Sequence, residues 1–316
     1  MGVDLGTQSV RALAVTDDGQ VLGSGSAPLT GHRDRDHHEQ LPGDWWEGAR
    51  AAIREALRTL PAARVRGVAV DSTSGTVLLT DSKGAPLTPA LMYDDSRAKD
   101  EARGAQESGA EVWRALGHTI QPSWALAKIL WLTRDSGTPD LAGARVCHQA
   151  DFVTARLVGR PTATDSSHAL KTGYDLLTDT WPTAVHERLG LSGLDFPEVV
   201  APGTELGTVG REAAEATGLA EGTPVIAGMT DGCAAQLGSG ARDVGQWNTV
   251  LGTTLVLKGV TRTPLHDPAG VLYSHRSPDG HWLPGGASSV GAGALTRAFP
   301  GADLARLDRL AADREP

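Results

Sequence analysis

The segment LGTQSVRALAVT, residues 5–16, returns near the other end of the chain as LGTTLVLKGVT, residues 251–261. Each copy joins Leu-Gly-Thr to one or two polar residues and then to an apolar strand. Gly6 and Gly252 permit a tight turn and a close backbone approach. Thr7, Thr253 and Thr254 add hydroxyl donors beside those turns. Two such turns, facing each other, would hold a phosphate chain between backbone amides and hydroxyls. The same residues also suit two ordinary β-hairpins. Asp4 adds weight to the phosphate reading of the first copy. It stands between Val3 and Leu5, and a carboxylate inside an apolar strand is costly unless it is paired or hydrated beside a cation. Mg2+ with its own waters would supply that compensation.

At roughly 100–200 residues per domain, the 316 residues predict two domains. Hydrophobic residues make up 40% and aromatics only 4%, so Val, Leu and Ala must fill most of the interior. The net charge of −9 argues against nucleic acid or an anionic membrane as the main partner. It leaves a phosphorylated ligand open, because backbone amides and Mg2+ bind phosphate on an acidic protein. Cys147 and Cys233 are far apart and show no metal-ligand spacing, which fits a reducing, cytoplasmic setting. No apolar run nears the ~18–20 residues of a membrane span, and the N-terminus lacks a signal-peptide pattern.

Along the chain, residues 2–28 predict an antiparallel meander of three strands with a turn at TDDGQ. RDRDHHE, residues 33–39, reads as a charged, solvated loop. GDWWEGARAAIREALRTL, residues 43–60, reads as a helix capped by Asp44, with Glu47 completing a capping box. Trp46, Ile53, Leu57 and Leu60 form its apolar face. VDSTSGT, residues 70–76, is a polar turn after a strand; its hydroxyls line a sugar pocket, or the segment is a simple turn. Tyr93, Asp94, Asp95 and Arg97 form either a binding rim or a surface ion pair. Residues 99–195 are predicted mostly helical, and residues 198–210 a loop-rich connector. TPVIAGMTDGCAAQLGSG runs from a strand into a small-residue helix. Asp231 at that junction is a candidate general base, or merely the helix cap. A second hairpin follows from Trp247, and an amphipathic helix closes the sequence.

Four of these segments together, in order, resemble the FGGY carbohydrate kinases of the actin-like, ribonuclease H-like superfamily: VDLGTQSVRA, LMYDDSR, GMTDGCAAQLGSG and VLGTTLVLKG. Tyr93 stands where the family's second motif carries Trp. HQADF, HALKTGYD, VAPGTELG, LYSHR and PGGASSVGA further resemble the plant and cyanobacterial xylulokinase-like proteins that act as D-ribulose kinases. The resemblance implies an α/β, actin-like ATPase fold. Its first domain would be complete over residues 1–240 and its second partial over residues 241–316.

The resemblance also implies ATP-dependent transfer of phosphate to D-ribulose, with Mg2+. Asp231 would be the base. Asp4, Thr7, Ser74, Asp95, Arg97 and Asp231 would bind sugar. Gly6, Thr7, Gln8, Gly252, Thr253 and Thr254 would bind the ATP phosphates, and Asp4 and Asp231 would hold Mg2+ through water. The partners expected are a sugar and ATP, without nucleic acid or membrane; the oligomeric state is left open. The glycine-rich segment that helps the family bind adenosine is not found between Gly293 and Pro316, so a truncated chain is expected. The rival readings are a xylulokinase, a truncated non-catalytic sugar-binding protein and, more distantly, an actin-like chaperone ATPase.

Overall fold

The structure is a computed structural model. It describes residues 1–135, 137, 141–251, 255–267, 269–288 and 290–312. The chain starts with β1 (Gly2–Leu5), β2 (Ser9–Val15), β3 (Val21–Pro28), β4 (His32–Asp34), β5 (His37–Gln40) and α1 (Pro42–Ala56). It continues with β6 (Val68–Ser72), β7 (Val77–Thr80), β8 (Ala90–Leu91), α2 (Lys99–Ser108), α3 (Ala110–Leu116), α4 (Ala125–Asp135) and β9 (Arg145–His148). Next come α5 (Gln149–Val158), β10 (Thr164–Asp165), α6 (Ser166–Ala169), α7 (Thr183–Leu189), β11 (Val199–Val200), β12 (Glu205–Thr208), α8 (Arg211–Thr217), β13 (Pro224–Thr230) and α9 (Asp231–Gly238). The last elements are β14 (Trp247–Leu251), β15 (Leu255–Gly259), β16 (Tyr273–Arg276), β17 (Trp282–Ser288), α10 (Gly293–Ala298) and α11 (Leu304–Ala312).

The central sheet has six strands in the order β12-β13-β6-β1-β2-β3. The N-terminal meander supplies one half. β6 and β13 extend it in parallel on the other side of β1. Side chains alternate between the faces of a strand, and the burial follows that rule. Val3 and Leu5 of β1, and Val68, Val70 and Ser72 of β6, face the core, while Asp4 and Asp71 face the other way. A five-stranded sheet, β4-β5-β8-β7-β9, packs with α2 and α4 around Trp113 and Trp124. The four strands β14-β15-β17-β16 make a separate sheet beyond α9.

Two local expectations change. α1 starts at Pro42, with Leu41 as N-cap and no side-chain cap. Proline suits the first helical position, so the helix begins before Asp44, which becomes a first-turn acid instead of a cap. Its buried face is Trp45, Ala49, Ala52, Ile53 and Ala56; Trp46 is only half-buried, and Leu60 lies beyond the helix end. The narrow alanines let α1 approach β3, where glycines match them. A Cβ on Gly25 would sit 2.1 Å from the Ala52 carbonyl oxygen. RDRDHHE is a hairpin, not a loop: β4 and β5 pair with Asp34 opposite His37, and Arg35 turns the chain at φ 53°. His38 is buried there against Asp94.

Candidate active site

The three parallel strands β1, β6 and β13 bring three carboxylates to one end of the sheet. In the β1–β6 register Asp4 lies opposite Asp71. Asp231 follows directly on β13, whose Thr230 pairs with Ser72. Ligands of open α/β sheets bind outside the carboxyl ends of the strands, and a cleft of about 580 Å³ opens there, lined by Asp4, Gly6, Asp71, Asp231, Gly232 and Lys258 among others.

Asp71 was not among the residues singled out in the sequence. Burial, and then the neighbouring Asp4 and the Asp231 charge, push its pKa up to about 8. Burial and neighbouring negative charge both favour the protonated carboxyl. Asp231 does not cap α9: Thr230 is the N-cap, without a side-chain bond, and Asp231 is the first helical residue. The Gly232 amide donates to Asp231 Oδ1 at 2.6 Å, and the residue lines the cleft. The protein around Asp231 raises its pKa, and Gly232, Lys171, Lys258 and His168 act against that rise.

A buried network beneath the cleft holds the ends of β6 and β13 together. Asp165 caps α6, accepting the Ser167 amide at 2.8 Å, and pairs with the His168 imidazole. His168 Nε2 lies 2.8 Å from Ser72 Oγ, next to Asp71. Ser167 Oγ accepts the Thr230 amide at 2.8 Å, next to Asp231. Burial disfavours a charged His168, but Asp165 outweighs it, with Asp151 and Asp231 adding, and its pKa is pushed up to about 9. The cation is satisfied at both ring nitrogens, and it sits below the acidic cluster.

The other expected residues divide. Tyr93 lies within hydrogen-bond reach of Thr7 and close enough to Asp231 to feel its charge. The Thr7 carbonyl accepts Gln40 Nε2 at 2.7 Å, fixing the turn after β1. Gln8 is exposed beyond it. Ser74 does not line the cleft, yet its Oγ is buried without a hydrogen-bond partner among the described residues. Its carbonyl accepts Lys171 Nζ at 3.1 Å, the same ammonium that acts on Asp231.

Asp95 and Arg97 are engaged elsewhere. Arg97 Nη2 meets Asp95 Oδ2 and Arg97 Nη1 meets Glu39 Oε1, both at 2.7 Å, and the Arg97 and Asp95 side chains are 4% and 0% exposed. Neither lines the cleft; the pair ties β5 to the segment after β8. Gly252, Thr253 and Thr254 lie outside the described residues, between β14 and β15. Those two strands pair antiparallel as the second hairpin expected from the sequence.

Among the described residues no three His, Cys, Asp or Glu side chains are gathered tightly enough to hold a metal by themselves. The cleft still offers carboxylate oxygens, the donors that Mg2+ prefers, and Mg2+ keeps several waters of its own. The site therefore fits a hydrated divalent cation.

Fold and cleft together define the class: an α/β protein of the actin-like ATPase fold, with acids at the strand ends between two sheets. The N-terminal domain of the FGGY family of carbohydrate kinases matches residues 1–238, and the chain belongs to that family. It is 33% identical over 294 residues to a xylulose kinase of Streptomyces coelicolor, an alignment spanning 90% of this chain and 59% of that protein. It superposes on the xylulose kinase of Rhodospirillum rubrum with a TM-score of 0.88 at 27% identity, over 99% of this chain and 67% of the other. The glycerol kinase of Plasmodium falciparum, 17% identical with a TM-score of 0.84 over 98% of this chain and 66% of that one, shares the fold. The chain thus spans little more than half the length of its Streptomyces relative.

Proposed function

We propose that the protein serves ATP-dependent phosphorylation of a pentulose, with D-ribulose as the preferred acceptor. The observation that carries this reading is the meeting of Asp4, Asp71 and Asp231 in one cleft at the ends of three parallel strands. In it, residues 1–240 bring the sugar site, the first phosphate turn and the base, and residues 241–316 bring the second phosphate turn. The Gly6, Thr7 and Gln8 turn cradles the ATP phosphates from one side, and Gly252, Thr253 and Thr254 from the other. Asp231, with Oδ1 held by the Gly232 amide, uses Oδ2 to orient a sugar hydroxyl and accept its proton. Ser74, with its unpartnered hydroxyl, reads a further sugar oxygen; Asp95 and Arg97, paired with each other, act on the sugar site only by holding β5 to the segment after β8. Asp4 and Asp231, with Asp71, would hold Mg2+ partly through water. When bound, that ion would neutralise charge on the phosphate oxygens.

D-Xylulose is the second acceptor to weigh, because the Streptomyces and Rhodospirillum relatives are xylulose kinases. A coupled assay of ADP release with D-ribulose, D-xylulose, L-ribulose and glycerol separates these readings. The highest kcat/KM is expected with D-ribulose; a clear preference for D-xylulose replaces it with the second reading. Calorimetry separates both from a non-catalytic sugar-binding protein, which would bind a pentulose but no ATP. Asp231→Asn is expected to lower kcat by about 10²–10⁴-fold, the usual range for a general base, while sugar affinity stays within a few-fold. An unchanged kcat removes Asp231 from the base role.

A further inference from the structure

Lys258 is the one cleft-lining cation among the described residues, and the reaction proposed above leaves it unused. It belongs to β15, in the four-stranded sheet, whereas the acids belong to the central sheet. Its stem reaches the cleft through space cleared by two glycines. Gly285, its partner in the β15–β17 register, has no room for a side chain: a Cβ there would lie 2.6 Å from Lys258 Cγ. A Cβ on Gly232, next to Asp231, would lie 3.1 Å from Lys258 Cε. The ammonium ends 3.3 Å from Cys233 Sγ, a weak acceptor. It lines the same cleft as three carboxylates and has donors to spare. The half-buried ammonium already feels the Asp231 charge, and its remaining N–H donors can meet a further anion that enters the cleft.

We propose that Lys258 is a further catalytic residue that donates N–H bonds to the phosphoryl group during its transfer. This rests on the phosphoryl-transfer reading of the cleft. In the step, the sugar hydroxyl oxygen forms a bond to the γ-phosphorus as the bond from that phosphorus to the bridging oxygen breaks. The bonding pair stays on the bridging oxygen, which leaves as part of ADP, and the hydroxyl proton passes to Asp231. Lys258 exchanges no proton. It meets negative charge on the non-bridging oxygens, where a fixed donor acts most strongly in a site shielded from water. Because Lys258 comes from the opposite sheet, its arrival depends on the two sheets standing together over the substrate.

The test compares the parent protein with Lys258→Met and Lys258→Arg. The methionine variant should lose about 10²–10³-fold in kcat, as removal of one fixed donor does, with the sugar KM within about threefold. It should bind a non-hydrolysable ATP analogue about tenfold more weakly and ADP as the parent does, because ADP lacks the γ-phosphoryl group. Arginine should restore part of kcat. An active parent with a methionine variant within threefold of it overturns the role of Lys258 and leaves the kinase reading standing. Equal loss of ADP and analogue affinity also overturns it, since a merely structural lysine would act that way. A parent that phosphorylates none of D-ribulose, D-xylulose, L-ribulose and glycerol overturns the kinase reading, and this role with it. If Lys258→Met does not fold, Gly285→Ala keeps the charge but blocks the stem; the same kcat loss supports the role, and an unchanged kcat overturns it.

Discussion

His168 shows how a residue outside the cleft sets its geometry. It joins Asp165 to Ser72, while Ser167 beside it holds the Thr230 amide, so one short helix fixes the strand ends that carry Asp71 and Asp231. Its pKa is pushed from the ordinary 6.5 up to about 9. A folded-state value above the unfolded one means that the folded protein holds the extra proton between those two values. The pair's contribution is therefore complete below about pH 6.5 and is lost as pH rises through about 9. His168→Gln should cost the most stability near pH 6, on the order of a few kcal/mol, and lower Tm most there. Thermal melts from pH 6 to 10 should show the gap between parent and variant closing as pH rises. A gap that stays constant would mean that His168 acts by packing, without its charge. Asp71 belongs to the same lesson. VAVDS has the apolar-then-acid pattern of GVDL, and that likeness was the signal for it in the sequence.

At the scale of elements, glycines set how closely strands and helices approach. On β13, a Cβ at Gly228 would lie 2.0 Å from the Val70 carbonyl oxygen of β6, where the pairing also shifts register between Ala227 and Thr230. Gly228→Ala must push the two strands apart just before Asp231. It should cost about 1–3 kcal/mol, the usual penalty of overpacking, and should lower kcat as well. Gly104 within α2 is the contrast, with nothing within 4 Å of a Cβ. Gly104→Ala should stabilise by about 0.5–1 kcal/mol, because it removes backbone freedom from a helix interior. Chemical denaturation of both variants checks the pair of signs. Helix α1 was legible from its 3.6-residue pattern, but its start was not. Both Pro42 and Asp44 suit a first turn, and burial of Trp45 against the sheet selects the earlier one.

Across the whole molecule the core is uneven. Two large clusters fill the space around the central and five-stranded sheets. Beside them, Met229, Cys233, Val260 and Leu283 form a small cluster between α9 and the four-stranded sheet. Trp247, Val250 and Leu251 of β14 are 49%, 46% and 64% exposed. Few buried apolar contacts mean a low free energy of local opening. Hydrogen exchange should therefore release the amides of β14 and β15 well before those of β1, β6 and β13. Simultaneous release would show that the two parts unfold as one cooperative unit.

Local pattern alone carried the meander, the polar turn around Ser74, the strand-to-helix junction at Asp231 and the resemblance to sugar kinases. These depend on residues a few positions apart, where alternation, glycine and capping chemistry act directly. Only the tertiary structure decided that Asp4, Asp71 and Asp231 share a cleft, that Lys258 reaches it, and that Asp95 and Arg97 neutralise each other away from it. The strand order β13-β6-β1 joins segments far apart in the chain. That order follows from burying Val3, Val70 and Val225 in one core, a non-local balance that leaves no mark in any short stretch of sequence.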